Sequence, residues 1–141
     1  MKYMRDIAII GGGASGLVAA ITAARLGSNV TIFERQNRIG KKILVTGNGR
    51  CNMTNLNIKP EYFHTSSQKG CFAPLAKKDV ETVLAFFNEL GIERLVEKTK
   101  VYPASEQASS ILDVMRMEIE RLGITVKVCL LYTSPSPRDC S

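Results

Sequence analysis

The chain has 141 residues, 45% hydrophobic and 23% charged, ordinary globular values that allow a packed core and argue against wholesale disorder. No apolar run approaches the ~18 residues of a membrane span, and the N-terminus lacks a signal-peptide cleavage pattern, so a cytoplasmic protein without a membrane partner is expected. The four cysteines show no CxxC or metal-ligand spacing, which argues against a zinc site or a disulfide framework.

The net charge of +6 is local. Residues 35–60 hold Arg35, Arg38, Lys41, Lys42, Arg50 and Lys59 and no acid, while the rest of the chain is balanced. A patch that short suits one small polyanion better than a duplex. Only Phe33 and Tyr62 lie nearby as stacking aromatics, so a nucleic-acid partner is not expected.

In chain order, Asp6–Ile10 is an apolar run ending in three glycines, which suits a strand buried on both faces. Residues 14–26 have Leu17, Ala20, Ile21 and Ala24 at helical spacing, and Gly27 supplies a stop. Residues 29–34 read as a second strand, giving a parallel β-α-β unit. Residues 35–70 are irregular, a length usually reserved for function. Asp79 reads as the cap of a helix reaching Gly91, with Val80, Val83, Leu84 and Phe87 on one face. Residues 92–103 suggest a short strand and a turn at Tyr102-Pro103. Residues 105–122 form a helix with an Ile111, Leu112, Met115 and Ile119 stripe, and residues 124–128 a third strand. In half a Rossmann fold that strand lies beside the second, leaving the first at an edge.

The end of the chain changes character. Cys129 through Asp139 can be reverse-translated without a gap into a string that resembles a transposase adapter from sequencing libraries. Residues 1–128 are therefore expected to be the N-terminal part of a cofactor-binding domain, and residues 129–141 a non-native tail.

Two constellations carry chemistry. Gly11-x-Gly13-x-x-Gly16 lies between a strand and a helix, and Glu34 follows at the end of the next strand, the context of a dinucleotide fingerprint. Gly11 permits the turn, Gly13 the approach of a pyrophosphate, and Gly16 close helix packing. Ala14 and Ser15 complete the loop. Glu34 suits a ribose, and its charge would oppose a 2′-phosphate by about 4 kcal/mol at ~4 Å and an effective dielectric of ~20. Arg35 beside it is grouped with the same site. The second constellation runs from Gly40 to Asn55. Gly47 and Gly49 permit unusual backbone angles, Arg50 can pair with phosphate, and Lys41 and Lys42 add charge. Thr46, Asn48 and Asn52 offer neutral hydrogen bonds, and Cys51 lies in the loop. An ordinary asparagine-glycine hairpin fits the same spacing.

Gly11-Gly-Gly-Ala-Ser-Gly16, Thr46-Gly-Asn-Gly-Arg-Cys-Asn-Met-Thr-Asn55 and residues 102–110 together resemble the BaiN/aminoacetone-oxidase-like family of bacterial flavoproteins. The resemblance covers residues 6–128 and the first third or so of a typical member. It implies FAD on a Rossmann-like α/β fold of the two-dinucleotide-binding type, here the N-terminal half with an incomplete parallel sheet. Gly11, Gly13, Ser15 and Gly16 would hold the pyrophosphate and Glu34 the ribose. The Thr46–Asn52 loop would approach the flavin. The implied function is an FAD-dependent oxidoreductase, with NAD(P)H as a candidate electron donor and enone or amine redox chemistry as candidate reactions. The substrate and catalytic residues are not named by these residues. The missing C-terminal part of the same chain is the expected partner. A non-catalytic dinucleotide-binding module is the alternative, and NAD in place of FAD fits the first motif equally. Cys51 is expected to pack rather than to do redox chemistry, His64 to lie on a surface loop, and Tyr102 to pack before its proline.

Overall fold

The computed structural model describes residues 4–64 and 77–130; Cys71 and all of the tail beyond Leu130 lie outside them. The chain divides into two compact units, one built from the chain up to Lys41 and from Glu118 onward, the other from Lys42 to Met117.

The first unit is a parallel sheet. β1 (Asp6–Ile10) pairs with β2 (Asn29–Phe33), and β2 pairs with β6 (Thr125–Lys127), giving the order β1-β2-β6. This is the order expected of half a Rossmann fold. Ile7 lies opposite Val30 and Ile9 opposite Ile32, so one face carries a continuous apolar strip. Helix α1 (Ala14–Arg25) covers it with Leu17, Ala20 and Ile21, all fully buried, over the buried Val30 and Ile32. The helix stops at Gly27, whose φ of +88° suits a residue without Cβ and whose N–H donates to the Ala24 carbonyl at 2.9 Å.

The other face of this sheet is open. Asp6, Ala8, Asn29, Thr31 and Phe33 line a hollow of about 430 Å³. The expectation that β1 is buried on both faces is therefore corrected: Ala8 is exposed and Ile10 is 79% exposed. The physical reason is that among the described residues β1 pairs on one edge only, and a helix covers one face only. Beyond β6, the N–H groups of Cys129 and Leu130 donate to the carbonyls of Gln36 and Glu34.

The second unit is built on an antiparallel sheet of order β3-β5-β4, from Thr54–Asn55, Lys100–Pro103 and Arg94–Glu97. β4 and β5 form a hairpin, so residues 92–103 hold two strands rather than one. Tyr102 and Pro103 lie within β5, not in a turn, and the tight connection is made by Lys98 at φ +57°. α2 (Lys77–Glu89) begins two residues before the expected Asp79 cap. α3 (Ala108–Arg121) starts later than expected, because Glu106 at φ +55° cannot continue a right-handed helix. Its stripe is as expected: Ile111, Leu112, Met115 and Ile119 are buried, whereas Met117 is exposed. Among the described residues no helix is long and apolar enough to cross a membrane.

Candidate functional site

In the first unit β1 runs directly into the glycine turn. Gly11 adopts φ +98° and its N–H donates to the Phe33 carbonyl at 2.8 Å. A Cβ on Gly16 would lie 2.0 Å from the Gly11 carbonyl oxygen, so no side chain fits there. A Cβ on Gly13 would meet nothing within 4 Å. The space in front of Gly13 is open, as a ligand's approach requires.

Gly13 caps α1 without any side-chain hydrogen bond, and the first turn of the helix holds no acid. The first helical bond runs from the Leu17 N–H to the Gly13 carbonyl. The N–H groups of Ala14, Ser15 and Gly16 thus have no acceptor inside the helix. They face outward at the positive end of the dipole, an arrangement suited to a phosphate anion.

Glu34 follows β2, and its carboxylate turns back onto this turn. One oxygen accepts the Gly12 N–H and the other the Gln36 N–H, both at 2.7 Å. The Gln36 and Gly12 bonds hold its pKa below the ordinary value, against the opposing effect of partial burial. Each oxygen keeps a further lone-pair direction, so the group can still accept ribose hydroxyls. Sequence reasoning gave no role to Gly12 or Ile39 and placed Gly40 only in the second constellation. A Cβ on Gly12 would lie 2.5 Å from Ile39 Cγ2, and its carbonyl accepts the Gly40 N–H at 2.7 Å. The unbroken run Gly11-Gly12-Gly13 was the signal. Glu34 is half-buried, whereas Arg35 beside it and Lys41 are exposed.

The second unit holds the other set. After the exposed Lys42, residues Ile43–Gly49 form a kinked 3₁₀ segment, and Gly47, Asn48 and Gly49 all take positive φ, at 54°, 55° and 80°. This is a left-handed loop, not a strand hairpin. Thr46 Oγ1 donates to the Ile43 carbonyl, and the Thr46 carbonyl accepts the Cys51 N–H. A Cβ on Gly47 would lie 2.7 Å from the Asn52 nitrogen. With its amide nitrogen turned toward them, Asn52 donates to the carbonyls of Thr54 (2.9 Å) and Val101 (3.2 Å). Thr46, Gly47 and Asn48 are exposed, so the outer rim of the loop is free to meet a ligand.

Cys51 is buried at φ +58°, and burial pushes its thiol pKa up, only partly offset by a hydrogen bond with Thr46. A raised thiol pKa supports packing over redox chemistry. Arg50 departs from expectation. Its guanidinium does not stand free for a phosphate; it holds both carboxylate oxygens of Glu97 (3.2 and 2.5 Å), reaches Glu106 at 2.6 Å, and stacks 4.1 Å from the Tyr102 ring centre. The carboxylates come from outside residues 35–60, so Arg50 is already neutralised. His64 is exposed, and among the described residues no three His, Cys, Asp or Glu side chains converge as a metal site.

The structure thus gathers Gly11, Gly13, Ala14, Ser15, Gly16, Glu34 and Arg35 in one unit, and Thr46, Gly47, Gly49, Arg50, Cys51 and Asn52 in the other. Within the first, the open approach at Gly13, the uncapped N–H groups and the Glu34 carboxylate fit the pyrophosphate and ribose of a dinucleotide.

The chain is 41% identical over 125 residues to the 3-dehydro-bile acid delta(4,6)-reductase of Clostridium scindens, covering 87% of this chain and 31% of that protein. It is 31% identical over 125 residues to a ribosomal RNA dihydrouridine synthase of Haemophilus influenzae, covering 89% of this chain and 31% of that protein. The chain therefore spans about a third of the length of these relatives. The charge map alone does not carry the exclusion of nucleic acid, since one of them is named for ribosomal RNA. The crystal structure of Thermovibrio ammonificans THI4 superposes with a TM-score of 0.56 at 24% identity, over 89% of this chain and 38% of that one, a likeness of fold. The model of the HI0933-like protein Rossmann domain matches residues 5–134, and the chain belongs to that family, in agreement with the flavoprotein resemblance carried by its glycine motifs.

Proposed function

We propose that the chain is the N-terminal, cofactor-binding part of an FAD-dependent oxidoreductase. The observation that carries this reading is the turn from Gly11 to Gly16, closed to side chains at Gly16, open at Gly13 and lined by N–H groups that have no acceptor within the helix and no side-chain cap. Bound FAD would supply a carrier for hydride. The N–H groups of Ala14, Ser15 and Gly16 would hold its pyrophosphate, and Glu34 its adenosine ribose. The exposed rim of the Thr46–Asn52 loop is the proposed flavin contact that the family resemblance implies. Residues 129–141 stay assigned to a non-native tail, and NAD(P)H is the proposed electron donor.

The reaction class proposed for the whole protein is reduction of a carbon–carbon double bond conjugated to a carbonyl. In such a reduction one carbon gains a hydride and its neighbour a proton. Two relatives support this over amine oxidation: the names of both the delta(4,6)-reductase and the dihydrouridine synthase describe saturation of a ring double bond. A base within an RNA belongs to that substrate class.

The test is a pair of substitutions followed by FAD titration. Gly13→Ala places its Cβ in open space at an ordinary φ of −80°. It is expected to change folding stability by no more than about 0.5 kcal/mol. Its FAD affinity should fall about tenfold, the equivalent of one lost hydrogen bond. Gly16→Ala forces a clash with the Gly11 carbonyl and should lower both. A wild-type chain that melts cooperatively and does not change flavin fluorescence would sink the reading.

A further inference from the structure

We propose that Arg50 is a positioning residue that locks the Thr46–Asn52 loop into its left-handed shape by tying it to the β4–β5 hairpin. Its importance for presenting that loop to a cofactor rests on the function proposed above.

Three partners hold the guanidinium. Glu97, the last residue of β4, takes it with both oxygens; Glu106, just past β5, takes the same Nη2; the Tyr102 ring lies beneath it. Tyr102 is itself buried and its ring edge lies 3.4 Å from where a Cβ of Gly47 would be, so the base of the stack also forms the wall behind the loop. The planar fork and the aromatic platform are features of arginine that lysine does not share.

Unfavourable backbone gathers around this cluster. Five non-glycine residues among those described have positive φ, and four of them, Asn48, Cys51, Lys98 and Glu106, lie within two residues of Arg50 or are its partner or that partner's neighbour. Such conformations persist only where surrounding contacts over-determine them. The loop's own backbone bonds, Arg50 N–H to Gly47 and Cys51 N–H to Thr46, are local and do not tie it to the hairpin. Two side chains do: the Asn52 amide donates to the Val101 carbonyl of β5, and Arg50 grips Glu97 and Glu106. The Arg50 Nε is buried without a hydrogen-bond partner, so the terminal nitrogens carry the polar attachment.

The test is hydrogen exchange on the chain without flavin, comparing wild type, Arg50→Lys and the Glu97→Gln/Glu106→Gln double variant. The double variant leaves every loop residue in place. Amides of Arg50 and Cys51 should exchange on the order of tenfold faster in both variants, matching the loss of a partly exposed ion network and its stacking. Amides in α3 serve as the control and should not change. Added salt should speed the Arg50 and Cys51 amides in wild type and have much less effect in the double variant. Unchanged loop exchange, or an equal rise everywhere, overturns the proposal. Failure of the FAD reading shows separately, as absent flavin binding by wild type with the loop protection intact.

Discussion

Cys51 lies next to an arginine, yet its thiol is a poor nucleophile. The Arg50 charge is spent on Glu97 and Glu106, and burial raises the thiol pKa. At neutral pH the thiolate fraction is below that of a free cysteine. Peptide-resolved alkylation should label Cys51 at least about tenfold more slowly than the exposed Cys129. Comparable rates would contradict the burial. Glu34 offers a second check. Removing its carboxylate by Glu34→Ala leaves the Gly12 and Gln36 N–H groups without their acceptor, at a cost of about 1–3 kcal/mol where they are shielded from water. Thermal melts should show that loss, and FAD affinity should fall with it. At this scale the sequence was legible where chemistry is encoded by local spacing: Gly11, Gly16 and Glu34 sit as the fingerprint predicts. It was not legible where a partner lies far away. Arg50 looks free for phosphate in a map of neighbouring charges, because Glu97 and Glu106 are some fifty residues distant.

Among the elements, α3 carries the clearest pH dependence. Glu118 accepts from Arg25 at 2.9 Å and from Arg121 at 2.6 and 2.9 Å, tying α3 to α1 within the first unit. Arg121 first, then Arg25, lowers its pKa from 4.5 to about 2 against the cost of burial. A folded pKa below the unfolded one gives stability that is complete above pH ~4.5 and is lost as pH falls toward ~2. The contribution is roughly 2 kcal/mol, reduced from the full shift because Arg121 is well exposed. Glu118→Gln should therefore be less stable than wild type at pH 7, and the gap should close between pH ~4.5 and ~2 in denaturant titrations. The strand–helix–strand start was readable because the glycines punctuate two different periodicities. The β4–β5 hairpin was not, because Lys98 makes its turn where glycine or asparagine would have marked it.

At the scale of the whole molecule, the parallel sheet has one face under α1 and the other open along Ala8, Thr31 and Phe33. β1 is an edge among the described residues, apolar and flat in sequence, and such edges pair with other chains. The 141-residue chain is expected to associate as concentration rises and to retain FAD weakly on gel filtration. Ala8→Lys puts a charge on that open face, away from the glycine turn. It should suppress association in light scattering while shifting stability by no more than about 0.5 kcal/mol. A monomer at high concentration that carries stoichiometric flavin would refute the expectation.

The interleaving of the two units has a consequence for how the chain comes off the ribosome. The second unit is one uninterrupted stretch, Lys42 to Met117, whereas the first needs Thr31 to meet Thr125 across the whole of that stretch. Contacts of such long sequence separation form slowly, because the intervening loop must close before any bond compensates it. During synthesis the hairpin unit can therefore complete its sheet while β1 and β2 still wait for β6. Pulse-labelled amide protection should appear in β4 and β5 before it appears in β6, and nascent chains halted within α3 should expose the β2 edge to proteolysis.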